Sequence, residues 1–354
     1  MKIEELDKNF KQQAEGADGL IYLKPIGAPF SLHGLFYGEG GYFRMPQRIA
    51  DGVSAGVAAL NRHTAGGRIR FSTDSAKIAV MAEWKSLDRM PHMPLSGSSG
   101  FVLLEETGGQ IRYVATFMPD WTEEKGFLRT AALGSGGMRE YILYFPLYND
   151  VTELYIGLES GASLERGRAY KDAAPVVYYG SSITQGGCAS RADNSYQALV
   201  AKRLGMDFVN LGFSGNAHAE DAMTDYLASL DCSAMVFDYD HNAPCAAELE
   251  ATHFRMYERY RAGRPEPPLL LVSRPDFERD GESAARLAIV RGTYERASAA
   301  GDENVYFLDG RELFAKEDRV NCTVDGTHPN DLGFYRMAQA IGGALERILT
   351  KKRR

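Results

Sequence analysis

Several residues with hydroxyl, amide, carboxyl or imidazole side chains, and one glycine, follow apolar runs of this sequence that read as strands. They are Ser181, Ser182, Gly215, Asn242, Asp325 and His328. A serine hydroxyl is a weak nucleophile until a neighbouring base takes its proton, and imidazole titrates near neutral pH. The residue types therefore indicate acyl transfer, with a serine as the nucleophile and His328 as its base.

The remaining polar residues fit the other tasks of this chemistry. Asp325 precedes His328 by three residues and could accept the second ring N–H, which would fix the tautomer and stabilise the imidazolium. Pro329 is expected in the first turn of the following helix, where it would fix the direction of His328. The backbone N–H groups of Ser182 and Gly215 and the side-chain amide of Asn242 are candidate oxyanion donors, each typically worth about 3 kcal/mol.

The second half of the chain alternates between strand-like and helix-like segments. The strand-like runs are 176–179, 208–211, 234–239, 269–273 and 305–308, and the helix-like segments are 196–204, 221–230, 246–261, 282–300 and 331–349. Such β–α repeats predict a parallel sheet covered by helices on both faces. Because open sheets of this kind bind ligands beyond the carboxyl ends of their strands, the polar residues should meet at one rim.

The first half reads as β-rich. Its strand-like runs are 68–73, 77–84, 101–105, 110–117, 141–148 and 153–159. Their density predicts a sandwich or jelly-roll domain. One helix is predicted through Ile49, Val53, Val57 and Leu60, which recur at helical spacing. We expect an N-terminal β-sandwich domain over residues 1–172, with a contribution to the substrate pocket, and a catalytic domain over residues 173–354.

Four blocks of the second half resemble, in order and spacing, those of the SGNH (GDSL-type) hydrolase superfamily. They read 180-GSSIT-184, 210-NLGFSGN-216, 239-YDHN-242 and 325-DGTHPND-331. The stretch 64-TAGGRIRFSTDS-75 is similar to the sandwich motif of a bacterial subgroup in which a β-sandwich precedes the hydrolase domain. The resemblance implies a flavodoxin-like three-layer α/β catalytic domain preceded by an all-β, jelly-roll-like sandwich.

By matching position, the resemblance casts Ser182 as nucleophile, His328 and Asp325 as base and orienting residue, and Gly215 and Asn242 as oxyanion donors. Relatives mostly remove acyl groups, often acetyl, from carbohydrates or small esters. The sequence departs from the family at two blocks. Ser181 replaces the commoner aspartate before the nucleophile, and the third block reads Asp240-His241-Asn242 where glycine usually precedes asparagine. Ser181 and His241 are candidates for substrate contacts, and the Asp240 charge would face the pocket or brace its loop.

The composition of the chain argues against some classes of binding partner. A net charge of −7 argues against a general nucleic-acid binder, and no apolar run is long enough to span a bilayer. The charged start of the chain lacks an apolar signal region, and the four cysteines show no CxxC spacing, so we expect a cytoplasmic protein with reduced thiols. The basic end 351-KKRR-354 is expected to complement a helix C-terminus or to extend into solvent. The histidines show no ligand spacing, so neither a metal nor another cofactor is expected.

The residues and the family resemblance together predict a serine esterase that acts on O-acyl esters, chiefly O-acetyl esters of carbohydrates or similar small acyl esters. The protein could be a monomer or a homo-oligomer. Two alternatives stay open. One is a carbohydrate-binding protein with a degenerate hydrolase domain, in which Trp84 and Trp121 could stack on sugar rings or belong to the core. The other is a lipid or thioester hydrolase, although no long apolar lid segment is visible.

Overall fold

A computed structural model describes residues 19–134, 136–172, 174–275 and 281–352. The charged start of the chain and the last two residues of the basic end lie outside these ranges. The chain divides into two compact units. The first takes in residues up to Phe43, Arg62–Ala169 and Arg191–Asp193, and the second takes in Arg44–Asn61, Tyr170–Ser190 and the residues from Asn194 onward.

The first unit is an antiparallel β-sandwich. The strands are β1 (Leu20–Leu23), β2 (Ser31–His33), β3 (Phe36–Gly38), β4 (Gly41–Phe43), β5 (Arg68–Thr73), β6 (Lys77–Glu83), β7 (Phe101–Thr107), β8 (Gln110–Phe117), β9 (Gly126–Ala132), β10 (Arg139–Tyr144), β11 (Glu153–Glu159) and β12 (Leu164–Arg166). One sheet has the order β1-β11-β6-β9, and the other has the order β12-β5-β10-β7-β8 with β2 paired to β5. A separate hairpin joins β3 and β4.

The two sheets of the sandwich share one apolar core. Phe71 and Leu143 contribute from one sheet, and Val80 and Ile156 contribute from the other. All four side chains are buried, as expected when alternate residues of each strand face the partner sheet. The sandwich predicted from the density of short strands is therefore present.

The second unit contains a five-stranded parallel sheet. Its strands are β13 (Val176–Gly180), β14 (Phe208–Gly212), β15 (Ala234–Asp238), β16 (Leu269–Val272) and β17 (Val305–Leu308). They lie in the order β14-β13-β15-β16-β17. Numbered along the chain the order is 2-1-3-4-5, which is the flavodoxin-like arrangement. The predicted flavodoxin-like fold is confirmed.

Helices cover both faces of this sheet. They are α1 (Gln47–Val53), α2 (Ala55–Leu60), α4 (Ser182–Gln185), α5 (Tyr196–Leu204), α6 (Asp221–Ser229), α7 (Ala246–Gly263), α8 (Ser283–Ala299) and α9 (Asp331–Lys352), while α3 (Leu95–Ser98) lies in the sandwich. Tyr178 meets Tyr196 of α5 edge to face, whereas Val177 and Tyr179 share a core with α6 and α7 residues such as Met223 and Met256. Successive strand residues thus face opposite layers, which gives the three-layer architecture.

The segment Arg44–Asn61 differs from the sequence prediction in two respects. A single helix was expected, but Ser54 adopts an extended conformation between α1 and α2 and caps α2 by accepting a 3.2 Å hydrogen bond from Val57 N. The segment also belongs to the second unit, although the predicted boundary at residues 172 and 173 assigned it to the first. Ala50 and Val57 are buried in the apolar core of the second unit.

None of the helices in the described ranges combines the length and the apolar character that a membrane crossing would require. The four cysteines, all within those ranges, carry thiol groups.

Candidate active site

The two adjacent serines have different environments. Strand β13 ends at Gly180, and Ser181 is the N-cap of the short helix α4. The Ser181 hydroxyl is 1 % exposed and accepts a 3.2 Å hydrogen bond from Ile183 N, as N-cap serines do. Ser182 follows as the first residue of the helix. The first hydroxyl is therefore used in capping, and the second is the one presented at the end of the strand.

The Ser182 hydroxyl meets the imidazole of His328. Its Oγ lies 2.9 Å from His328 Nε2, across 146 positions of sequence. This distance is that of a hydrogen bond. The contact is the one that a serine nucleophile needs if a histidine is to take its proton.

Asp325 holds the other side of the same imidazole. Its Oδ2 lies 2.7 Å from His328 Nδ1, and its Oδ1 accepts hydrogen bonds from the backbone N–H groups of Thr327 and His328 at 2.9 and 2.8 Å. Partial burial would raise the pKa of the Asp325 carboxyl, but these hydrogen bonds outweigh it and hold the pKa well below its usual range. Asp325 is therefore an ionised acceptor suited to orienting the ring.

The two ends of the loop that carries His328 are hydrogen-bonded to each other. Val324 N donates to the His328 carbonyl oxygen at 2.9 Å, and Thr323 forms an isolated antiparallel bridge with Pro329. The prediction for Pro329 was wrong in its location, because helix α9 begins only at Asp331. The bridge to Thr323, rather than a place in the helix, fixes the residue next to His328.

Gly215 lies in the turn that follows β14. We call residues 212–216 the Phe213 loop. Gly215 has φ +68°, a left-handed conformation that favours glycine. Asn216 closes the turn, because its backbone N–H donates to Phe213 O at 2.9 Å and its side-chain amide donates to Ser214 O at 2.7 Å. Among the described residues, none accepts a hydrogen bond from the Gly215 N–H.

Asn242 links the turn after β15 to this loop. It ends a 3₁₀ turn, Asp240–Asn242, and its side-chain Nδ2 donates to the Phe213 carbonyl oxygen at 2.8 Å. An amide nitrogen carries two N–H groups, so this bond leaves one for another acceptor. Asn242 and Gly215, two of the three candidate oxyanion donors, are thus held on loops that are hydrogen-bonded to each other.

Asp240 braces the Asn242 turn. Its carboxylate is 1 % exposed, and Oδ2 accepts a 3.1 Å hydrogen bond from the Arg274 backbone N–H. Of the two roles that the sequence left open for this charge, the structure supports the bracing role. The Arg286 guanidinium adds to it by donating to the main-chain oxygens of Asp240 and Ala243 at 2.6 and 3.0 Å, on both sides of Asn242.

Sequence reasoning missed a buried network beneath the serine helix. The Asp238 carboxylate accepts hydrogen bonds from Tyr196 and Thr184 at 3.0 and 3.1 Å. Gln185 accepts from Ser214 N at 3.1 Å and so ties α4 to the Phe213 loop. Of these residues only Thr184 and Ser214 lie within a quoted motif, because buried polar partners of this kind have no periodic signature.

The topology explains why these residues meet. In the parallel sheet β13 lies between β14 and β15, so the segments that follow these strands share one rim. This rim includes the point at which the strand order reverses, where ligands bind in flavodoxin-like sheets. His328 arrives from the loop before α9. The second candidate for a substrate contact, His241, lies partly exposed in the middle of the Asn242 turn.

No cluster of three or more His, Cys, Asp or Glu side chains suited to a metal ion occurs within the described ranges. His218, Glu220 and Asp221, which lie close together in the sequence, belong to the loop and first turn of α6, with Glu220 at the N-cap.

Comparison with known proteins identifies the family to which the chain belongs. A sequence model of the GDSL-like lipase/acylhydrolase family matches residues 173–346, and one for the N-terminus of SGNH-type esterases matches residues 20–164. The chain belongs to the SGNH (GDSL-type) hydrolase superfamily. Membership of this superfamily makes the chain a hydrolase of the esterase type. One of the two matches covers the sandwich strands, and the other covers the parallel sheet.

Solved structures extend the likeness over nearly the whole chain. A protein described as a GDSL-like lipase from Bacteroides ovatus is 27% identical, with a TM-score of 0.84, covering 94% of this SGNH hydrolase and 98% of that chain. The salicylyl-acyltransferase SsfX3 from a tetracycline biosynthetic pathway is 21% identical, with a TM-score of 0.75, covering 93% and 98%. An acetyl xylan esterase from Butyrivibrio proteoclasticus is 14% identical, with a TM-score of 0.57, covering 94% and 99%. A search of curated proteins found no significant match.

Proposed function

We propose that this SGNH hydrolase is a serine esterase that removes O-acetyl groups from carbohydrates through an acyl-enzyme intermediate. The observation that carries the catalytic part is the hydrogen-bonded series from Ser182 Oγ through the His328 ring to Asp325, with distances of 2.9 and 2.7 Å. The carbohydrate and acetyl assignments rest on the family and on the likeness to the acetyl xylan esterase.

Acylation begins when Ser182 Oγ attacks the ester carbonyl carbon while its proton passes to His328 Nε2. The tetrahedral intermediate carries its negative charge on the former carbonyl oxygen. Its collapse breaks the bond to the alcohol oxygen, which leaves as the alcohol after taking the proton from His328. Asp325 stays ionised throughout, and it stabilises the imidazolium and holds its tautomer.

Deacylation repeats the sequence with water. His328 takes a proton from water, the resulting hydroxide adds to the acyl carbon, and Ser182 Oγ leaves with that proton. The products are a carboxylic acid and the free serine. The same acyl-enzyme could pass its acyl group to an acceptor alcohol, and the likeness to an acyltransferase makes alcohol acceptors a useful arm of the test.

Three donors would receive the oxyanion, namely the Ser182 N–H, the Gly215 N–H and the second N–H of the Asn242 amide. The fixed geometry of the Phe213 loop supports this role, because donors that need no reorganisation give the largest rate effects. Ser181 we assign to capping α4, since its hydroxyl is buried and engaged. Contacts from His241 and from the N-terminal unit to the substrate stay predictions.

A fluorophosphonate label combined with a substrate screen tests the proposal. We expect an adduct on Ser182 in the folded protein, none in Ser182→Ala, and release of acetate from acetylated oligosaccharides. No adduct on Ser182 in the wild type would favour the carbohydrate-binding alternative. An acyl optimum longer than acetyl on p-nitrophenyl esters would favour a lipid hydrolase, and ester products formed with added alcohols would favour a transferase.

A further inference from the structure

The segment Arg44–Asn61 belongs to the catalytic unit although it lies among the sandwich strands in sequence. Helix α1 packs against α6, and Met45, Ala50 and Val57 are buried in the same core as Phe213. A packing role alone would need only apolar residues. Two non-apolar features of the segment, Arg44 and Gly56, contact the Phe213 loop itself.

Arg44 contacts the first residues of the Phe213 loop. Its side chain is fully buried, donates hydrogen bonds to the main-chain oxygens of Gly212 and Leu60, and places its guanidinium 4.4 Å from the centroid of the Phe213 ring. Such a forked and stacked arrangement suits arginine and not lysine. The Phe213 carbonyl is the atom to which Asn242 donates, so Arg44 holds the residue that links both candidate oxyanion donors.

Gly56 meets the other end of the loop. A β-carbon at position 56 would overlap Asn216 Oδ1 and Cγ, and Nδ2 is the next nearest atom. This amide is the group that closes the turn around Gly215 by donating to Ser214 O at 2.7 Å. A side chain at position 56 would therefore have to displace the Asn216 amide and open the turn.

We propose that Arg44–Asn61 is a positioning element for the oxyanion donors, with Arg44 and Gly56 as its positioning residues. The proposal rests on the catalytic role proposed for Gly215 and Asn242. It assigns to a part of the chain outside the four sequence blocks the task of fixing where the Gly215 N–H points.

Gly52→Ala is the matched control for Gly56→Ala. Both glycines lie in short helices of the same segment, but a β-carbon at position 52 would meet nothing within 4 Å. We expect Gly56→Ala to lower kcat by roughly ten- to hundredfold, with KM nearly unchanged, because small misplacements of catalytic groups are costly. Rates are normalised to fluorophosphonate-titrated Ser182, and Gly52→Ala should match the wild type.

The double variant Gly56→Ala/Asn216→Ala separates positioning from general damage. Alanine at position 216 removes all three atoms that the new β-carbon would meet, so the double variant should be no worse than Asn216→Ala alone. Equal kcat in Gly56→Ala and the wild type would overturn the proposal. Additive losses in the double variant would do so as well, since the effect would then not pass through Asn216.

A measurement that does not depend on catalysis can test the positioning role separately from the proposed function. The amide ¹H–¹⁵N resonance of Gly215 should shift in Gly56→Ala and stay in place in Gly52→Ala. If the wild type hydrolysed no ester and took no label, the proposed function would fail, while the resonance would still report whether Gly56 sets the loop. An unshifted Gly215 resonance in Gly56→Ala would refute the positioning role.

Discussion

The Tyr196 hydroxyl donates a 3.0 Å hydrogen bond to the buried carboxylate of Asp238, at the end of the strand that precedes the Asn242 turn. Burial, together with the nearby negative charge of Asp240, raises the pKa of Asp238 to about 7. In the unfolded chain an aspartate titrates near pH 3.9. The folded protein therefore binds more protons than the unfolded chain between about pH 4 and pH 7, and its stability should fall as pH rises through that window.

Asp238→Asn should remove this pH dependence. Each pKa unit is worth about 1.4 kcal/mol. The free energy of unfolding of the variant, relative to that of the wild type, should therefore rise by up to roughly 4 kcal/mol between pH 4 and pH 8. Urea unfolding of both proteins at both pH values measures this difference. Asp225→Asn is the control, and its effect on the pH dependence of stability should have the opposite sign. The reason is that the hydrogen bond from Arg259 lowers the pKa of that exposed carboxyl. Parallel pH dependence in Asp238→Asn and wild type would contradict the assignment.

Asp325→Asn should impair catalysis more than folding. The amide can present an N–H toward His328 Nδ1 and stabilise the wrong tautomer, so we expect kcat to fall by roughly a hundredfold or more. The Asp325 side chain is 41% exposed, so its effect on stability should be small. Because the carboxyl pKa is lowered in the folded protein, that small contribution should be present at neutral pH and disappear in strong acid. Steady-state kinetics and thermal unfolding at pH 7 separate the two effects.

Asn242→Ala should lower kcat by about 10²–10³-fold, the usual cost of one oxyanion donor. It also removes the 2.8 Å hydrogen bond to Phe213 O, so Asn242→Asp, which keeps the shape but donates nothing, should be at least as impaired. Kinetics on acetate esters provide the measurement. Wild-type kcat in either variant would remove Asn242 from the proposed mechanism.

Arg286→Lys should weaken both stability and activity. A lysine cannot reach the Asp240 and Ala243 carbonyls together, and a buried carbonyl left without a donor costs about 1–3 kcal/mol. The matched control is Arg291→Lys on the same helix, where the arginine is 41% exposed and pairs with Asp309. We expect a lower melting temperature and kcat for Arg286→Lys only. Equal effects of the two substitutions would show that the Asn242 turn does not depend on Arg286.

The two tryptophans of the sandwich should behave differently. Trp84 is buried in the core with its indole N–H bonded to Glu124 O at 3.0 Å, so Trp84→Ala should cost about 3–5 kcal/mol. Trp121 is 65% exposed, and Trp121→Ala should leave stability nearly unchanged. Urea unfolding tests both. A loss of affinity for oligosaccharides in Trp121→Ala alone would support the sugar-stacking role that the sequence left open.

Much of the fold was predictable because periodicity survives in a single sequence. The structure has β5, β8, β11, β17 and α5 with the predicted boundaries, since each is a regular run ended by turn residues. The break at Ser54 was not predicted, because the apolar spacing continues across it and only the cap reveals it. The prediction at Pro329 failed for a related reason, since a bridge to Thr323 competes with helix initiation.

The contacts among the site residues were predictable in outline. Topology alone brought Ser182, Gly215 and Asn242 to one rim, because parallel strands end together. The supporting residues were not predictable, because Arg286, Arg44 and Asp238 each act through buried hydrogen bonds to residues far away in the sequence. Such pairings depend on tertiary packing and leave no local pattern in the chain.

The discontinuity of the second unit bears on how this protein is made and rebuilt. Met45, Ala50 and Val57 leave the ribosome more than a hundred residues before the strands that they pack beside. During synthesis these apolar side chains cannot be buried in the catalytic core until the later strands have been made. A gene fragment cut at residue 170 would omit these side chains, so swapping the hydrolase onto another sandwich would require two splice points flanking Arg44–Asn61 in addition to the obvious one.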